Sequence, residues 1–132
     1  MKISMLFGLP LLALASAVAI PNEMEERAKC SLTAKWRDQW TEKALTRYRV
    51  KFSTVGVEPQ TFCDSFYKGT AHCFSAVSNL QCGFDSGVDG GSWRVDFSAG
   101  QGTLGHNQYV NCMQEAANQW RADHPCDVFS SW

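Results

Sequence analysis

Three histidines are the side chains best suited to acid–base chemistry in this 132-residue chain: His72, His106 and His124. A ribonuclease requires a histidine or glutamate as general base, a histidine as general acid, and a cation that holds the phosphate. The residue types are present, but neither spacing nor flanking sequence marks a site. Each histidine also has an ordinary position: His72 lies at a predicted helix end, His106 opens a helix and His124 closes one, and a cation near a helix C-terminus interacts favourably with the dipole. We therefore assign no catalytic residue and keep a small hydrolase, ribonuclease above all, as an alternative function.

The sequence motifs for a bound cofactor or metal ion are equally weak. Gly100, Gly102 and Gly105 match the letters of G-x-G-x-x-G, and Asp123 lies near the expected acidic position. A dinucleotide site requires a parallel βαβ unit, whereas antiparallel neighbours are predicted here, so a flexible loop is the better interpretation. Zinc sites require closely spaced ligand pairs, and the nearest cysteines are nine residues apart. We expect no cofactor, no dinucleotide and no metal.

Basic residues concentrate in the N-terminal third of the chain. Residues 27–51 hold eight basic residues against two acidic ones, a net charge of +6, while residues 52–132 hold three against eight, or −5. This asymmetry suits an anionic partner such as nucleic acid, phospholipid headgroups or acidic polysaccharide. The alternative is a solvated sheet face, which is what most charge runs are. The candidate anionic-partner surface comprises Lys35, Arg37, Arg47, Arg49 and Lys51.

The register of one predicted strand shows how these cations are presented. From Thr46 the side chains alternate, with Tyr48, Val50 and Phe52 on one face and the cations of residues 47, 49 and 51 on the other. We expect the aromatic face to lie under helices. Sheets that recognise RNA place stacking aromatics on the open surface, so base stacking is disfavoured. Residues 30–36 alternate as well, and form either a strand or the start of a helix through Trp40.

The remaining pattern predicts two helices and three further strands. Helical spacing begins near Pro59 and ends or bends at Gly69. Residues 79–97 predict a hairpin around a loop at 85–91, and residues 100–105 predict a second loop. A long amphipathic helix follows and stops at Pro125, and residues 126–132 predict a short final strand. The order predicts an α+β domain: an antiparallel sheet of four to five strands with two helices on one face, in the split β-α-β arrangement of ferredoxin-like folds.

Six cysteines follow the first twenty-nine residues: Cys30, Cys63, Cys73, Cys82, Cys112 and Cys126. An even count in an exported chain favours three disulfides, for which 15 connectivities exist. Two cysteines are expected on helices and two on strands, so helix-to-sheet bridges follow naturally. An unbroken helix would separate Cys63 from Cys73 by about 15 Å, too far for a bridge between them.

The N-terminus has the features of a secretory signal peptide. Lys2 supplies the positive region, residues 6–18 form a short apolar run interrupted by Pro10, and Ala17-Val18-Ala19 fits the cleavage pattern. The run is too short to cross a membrane. We expect a signal peptide at 1–19, a mobile leader at 20–29 and a single disulfide-rich domain at 30–132, located outside the cell and monomeric.

A predicted signal peptide, a mature chain of 113 residues, six cysteines and a two-helix α+β plan resemble the small secreted cysteine-rich proteins of filamentous fungi. The layout of residues 46–132 is similar to that of their killer-toxin-like effectors. The resemblance implies a virulence or toxin role, in which the protein is released toward a host or competitor and acts by binding. It supplies no functional residues. We expect a secreted, non-enzymatic binding protein whose macromolecular partner is anionic, with a secreted hydrolase as the alternative.

Overall fold

The computed structural model describes residues 29–70, 73 and 76–132. The predicted signal peptide, residues 20–28 of the predicted leader, and His72 lie outside the described residues. The elements are β1 (Ser31–Glu42), β2 (Leu45–Val55), α1 (Gln60–Thr70), β3 (Val77–Asp85), β4 (Ser92–Ala99), α2 (Gly102–Asp123) and β5 (Asp127–Ser131). In this part of the chain, no helix is long and apolar enough to cross a membrane.

The five strands form one sheet in the order β3-β4-β2-β1-β5. Three pairings are antiparallel and the β1–β5 pairing is parallel, so the sheet is mixed rather than wholly antiparallel as expected. Strand β4 lies between β2 and β3, which are joined through α1, and this is the split β-α-β connection. Strands β2 and β1 lie between β4 and β5, which are joined through α2. The predicted disulfide-stapled α+β class with two helices and five strands is confirmed.

The first strand resolves the ambiguity at residues 30–40, because β1 continues as a strand to Glu42 and forms a hairpin with β2. The hairpin turn consists of Lys43 and Ala44, with φ angles of 52° and 65°. Positive φ at both central residues is the requirement of a type I′ turn, which normally selects Asn-Gly. Neither residue signals a turn, so the sequence pattern did not predict this hairpin.

The double variant Lys43→Asn/Ala44→Gly should stabilise the protein. Left-handed backbone is costly for ordinary L-residues and is accepted by Asn and Gly, so we expect a gain of about 1 kcal/mol and a rise in Tm of roughly 4 to 8 °C. Thermal unfolding followed by circular dichroism measures the change. The exchange Ala122→Gly in helix α2 is the control, since there glycine should lower the Tm. An unchanged or lowered Tm for the double variant would contradict the assigned turn.

The core lies between one face of the sheet and the two helices. Tyr48 stacks on Tyr109 of α2 with a centroid distance of 4.1 Å and an interplanar angle of 7°, and Phe52 meets Phe62 of α1 edge-on at 4.8 Å. Side chains that are fully buried include Leu32, Val50, Phe62, Phe66, Val95, Phe97, Tyr109, Met113 and Trp120. The prediction that the aromatic face of β2 lies under the helices is therefore confirmed.

The hydroxyl group of Tyr109 is buried and has no hydrogen-bond partner among the described residues. Burial raises the pKa of Tyr109 well above its ordinary value, so the group stays protonated. An unsatisfied buried hydroxyl costs free energy, while the ring contributes packing.

We expect Tyr109→Phe to keep the stacking on Tyr48 and to leave the free energy of unfolding unchanged or raised by about 1 kcal/mol. Tyr109→Ala removes the ring and should lower the free energy of unfolding by about 3 to 5 kcal/mol. Urea denaturation of both variants and the wild type provides the values. A clear loss of stability in Tyr109→Phe would show that the hydroxyl makes a stabilising hydrogen bond.

Two glycines have structural roles that the sequence pattern did not predict. Helix α1 ends at Thr70, one residue after the predicted end at Gly69, and a Cβ on Gly69 would lie only 2.8 Å from the Cα of Ala116, so this glycine also permits the close crossing of the helices. The loop predicted at 100–105 is wrong from Gly102 onward, because α2 begins at that residue. A Cβ on Gly105 would overlap the carbonyl of Gly100. Gly105 thus has a structural reason that is unrelated to nucleotide binding.

All six cysteines form disulfides, with pairs Cys30–Cys126, Cys63–Cys82 and Cys73–Cys112. The second pair links α1 to β3, which is the expected helix-to-sheet bridge. The third joins the residue three positions beyond α1 to α2, and the first ties together the starts of the neighbouring strands β1 and β5. As expected, Cys63 and Cys73 do not pair with each other.

Candidate anion-binding surface

The face of the sheet opposite the helices carries charged side chains in register. Antiparallel partners place their side chains on the same face, so residues of adjacent strands form rows across the sheet. One row contains Lys35 of β1, Lys51 of β2 and Arg94 of β4. The next contains Asp38, Arg49 and Asp96 in the same strands, with alternating signs. The first row therefore concentrates positive charge, and the second balances it internally.

Asp96 is the buried centre of the second row, since only 3% of the residue is exposed. Arg49 donates to it with both ends of its guanidinium, from Nε to Oδ1 at 2.8 Å and from Nη2 to Oδ2 at 2.7 Å. The hydrogen bonds from Arg49 to this carboxylate raise the pKa of Arg49. The Arg49 guanidinium also lies 5.1 Å from the ring centroid of Trp40. Arg49 is thus committed to an ion pair within the sheet.

Arg47 is likewise held within the sheet, because it is a buried cation of β2 that hydrogen-bonds to residues of β3 and β4. Its Nη1 donates to the carbonyl of Asn79 at 2.7 Å and to Oγ of Ser98 at 3.1 Å, and its Nη2 donates to Oε1 of Gln81 at 3.0 Å. Burial lowers its pKa. Asn79 has a φ of 54° at an irregularity in the register of β3, which directs its carbonyl toward Arg47. Arg47 therefore belongs to the framework of the sheet.

We expect Asp96→Asn to lower the free energy of unfolding by about 2 to 4 kcal/mol, because it leaves the partly buried Arg49 without its carboxylate partner. Asp38→Asn is the matched control, since Asp38 lies opposite Arg49 on the other side but is exposed. That change should cost less than about 0.5 kcal/mol. Chemical denaturation of both variants tests the difference. Equal effects would mean that Asp96 has no special structural role.

A second group of charges lies at the solvent-exposed end of this face. Nε of Arg37 donates to Oδ2 of Asp89 and Nη2 donates to Oδ1, both at 2.9 Å, while Nζ of Lys51 donates to Oδ2 at 2.8 Å. Arg37 falls where the β1–β2 register shifts, between Trp36 and Asp38. Hydrogen bonds from Arg37, and then from Lys51, hold the pKa of Asp89 well below its usual range. One carboxylate is therefore shared by two cations.

These side chains border an open groove with a volume of about 600 Å³. Trp36 and Phe84 also contribute to its lining, but Trp36 pairs with Val50 and Phe84 with Trp93, in rows that belong to the helix-facing side of the sheet, so their rings do not lie beside the groove cations. Lys35 is exposed and makes no ion pair with another residue in the described ranges. The lining residues are Thr33, Lys35, Trp36, Arg37, Lys51, Phe52, Ser53, Phe84, Gly91, Ser92 and Trp93.

The five predicted surface cations thus divide into two groups. Lys35, Arg37 and Lys51 line the groove, whereas Arg47 and Arg49 are held by partners within the sheet. The sequence pattern did not predict the contribution of Asp89, because nothing in the local pattern marked residue 89 as the partner of cations in β1 and β2.

The two described histidines do not form a catalytic pair. His106 lies in the first turns of α2 and His124 follows its last residue, so about 27 Å of helix separates them. Each ring instead neighbours an aromatic residue of α2, Tyr109 for His106 and Trp120 for His124. Among residues 29–70, 73 and 76–132, no group of three potential metal ligands is present.

No protein-family model matches the chain, and no curated protein or solved structure shows significant similarity to it. The chemistry of the groove is therefore the basis for inferring a function.

Proposed function

We propose that the protein is a secreted, non-enzymatic binding protein that captures an anionic partner in the groove at the end of its open sheet face. The observation that carries the proposal is the convergence of Lys35, Arg37 and Lys51 on one accessible groove. As in the fungal effectors and toxins that the sequence resembles, the target would belong to a host or a competitor of the producing organism.

The local charge supports an anionic partner. Lys35 and Lys51 face each other directly across the β1–β2 pairing, an arrangement of like charges that disfavours folding. Asp89 neutralises only part of the set, because it is shared between Arg37 and Lys51. Three groove cations against this single carboxylate leave a local excess of two positive charges. A bound anion would remove the remaining repulsion, and the structure offers no internal group that does so within the described residues.

The proposed location outside the cell has two supports. Three disulfides are compatible with an oxidising, extracellular compartment. The predicted signal peptide would direct the chain there. In such an environment, the disulfides would preserve the register of the sheet and with it the arrangement of the groove.

Replacing the groove cations should weaken anion binding selectively. The variant Lys35→Gln/Arg37→Gln/Lys51→Gln should bind about 10-fold or more weakly to a sulfated polysaccharide, single-stranded RNA, a polyuronate or anionic phospholipid vesicles, whichever the wild type binds. Binding should also weaken as salt is raised. Isothermal titration calorimetry at two salt concentrations provides the measurement.

The matched control is Lys43→Asn/Lys68→Gln/Arg121→Gln, which removes three exposed cations located away from the groove. It should bind as the wild type does. Equal losses in the two triple variants would show that attraction depends on net charge alone, and absence of binding to all four probes would refute the proposed function.

A further inference from the structure

The groove already contains a carboxylate, and its surroundings indicate the chemistry of the ligand. We propose that the partner is an acidic polysaccharide whose sugar rings carry carboxylates, a polyuronate, and that the Asp89 carboxylate occupies the position of a ligand carboxylate until the ligand displaces it. This inference rests on the proposed function and specifies the partner of the same groove.

The geometry for binding a carboxylate is seen directly. The planar guanidinium of Arg37 donates in parallel to both oxygens of Asp89, and the ammonium of Lys51 donates to one of them. Two-pronged pairing of this kind matches the flat shape and the oxygen spacing of a carboxylate. An incoming carboxylate in the same plane would form the same three hydrogen bonds, so the exchange conserves the number of charge-assisted contacts.

Asp89 is placed so that it can be displaced. It lies in the loop between β3 and β4, outside the strands, and its side chain is 34% exposed. Both of its ion pairs are open to solvent, where such pairs contribute little to stability. Asp96 provides the contrast, because its side chain is 4% exposed and its strand is hydrogen-bonded on both sides. Of these two carboxylates, only Asp89 can leave its cations without disturbing the sheet.

The remaining lining residues favour a sugar chain. Thr33, Ser53 and Ser92 also line the groove, and their hydroxyl groups can donate to and accept from sugar hydroxyls. Lys35 lies beside Lys51 on the neighbouring strand and makes no ion pair within the described ranges, so it is available for a second carboxylate of the same chain. A polyuronate carries repeated carboxylates on hydroxyl-rich sugar rings, and it therefore matches the cations and hydroxyl groups of the groove.

The test compares two variants that add the same charge. Asp89→Asn removes the internal carboxylate, and asparagine tolerates the φ of 51° at this position. Asp123→Asn is the matched control, because Asp123 also accepts from a lysine, Lys68, but lies at the end of α2 away from the groove. The probes are an oligouronate of six sugars, a neutral oligosaccharide of equal length and a single-stranded RNA, titrated by calorimetry into the full-length, oxidised protein.

We expect the oligouronate to bind wild type in preference to both other probes, and Asp89→Asn to bind it about 5- to 10-fold more tightly. Asp123→Asn should leave the affinity unchanged, and Arg37→Gln should weaken it about 10-fold. Thermal unfolding of each variant establishes that the fold is retained. Equal gains in Asp89→Asn and Asp123→Asn would refute the displacement of Asp89, since net charge would then explain both.

The same experiment can refute a polyuronate as the ligand without refuting the proposed function. Tighter binding of RNA than of oligouronate, lost in the triple groove variant, would refute the polyuronate while supporting an anion-binding groove. A neutral oligosaccharide that binds as well as the oligouronate would refute the role assigned to the carboxylate. If binding of every anionic probe is unaffected by the groove substitutions, both inferences are wrong.

Discussion

The pairing of Arg49 with the buried carboxylate of Asp96 is the interaction on which the open face of the sheet depends. A carboxylate that is 3% exposed requires a charged partner and hydrogen bonds, and Arg49 supplies both from the adjacent strand. Arg94 lies within 3.4 Å of the same carboxylate. Because this pairing joins β2 to β4 in one register, it also sets the position of Lys51 two residues along β2. The neutral centre of the face and its positive end therefore have a common structural origin.

The alternating side chains of β2 give the two faces of the sheet different environments, one apolar and one charged. On one face, Tyr48 and Phe52 pack against the helices and exclude water. On the other, Arg47 is buried and Arg49 is partly buried, and both donate hydrogen bonds to neighbouring strands. These two cations are held within the sheet and are therefore unsuited to capture a partner. The accessible cations that this face presents in the described part of the chain, Lys35, Arg37 and Lys51, lie at the groove, next to the loop that carries Asp89.

Backbone irregularities position the groove. The register shift between Trp36 and Asp38 brings Arg37 within reach of Asp89, and Asp89 itself has a left-handed backbone. Neither feature follows from hydrophobic alternation, because a bulge is an interruption of that pattern. The hairpin turn at Lys43 and Ala44 was not predicted for a related reason, because its residues are not those that such a turn favours. The order of helices and strands was predictable from the sequence, whereas the bulge and the left-handed residues that shape the groove were not.

The sequence by itself determined the α+β class, the helical and strand periods, the orientation of the aromatic face of β2 and the participation of all cysteines in disulfides. These properties follow from local spacing and from counting. Only the tertiary structure decided which cysteines pair, that β1 and β5 are parallel, and which of the five predicted cations are accessible. Each of those outcomes depends on cross-strand register and on contacts between residues distant in the chain. Arg47 and Lys51 have equivalent positions in the alternating pattern, yet one is buried against β3 and the other lines a groove, because their neighbours come from other strands and loops.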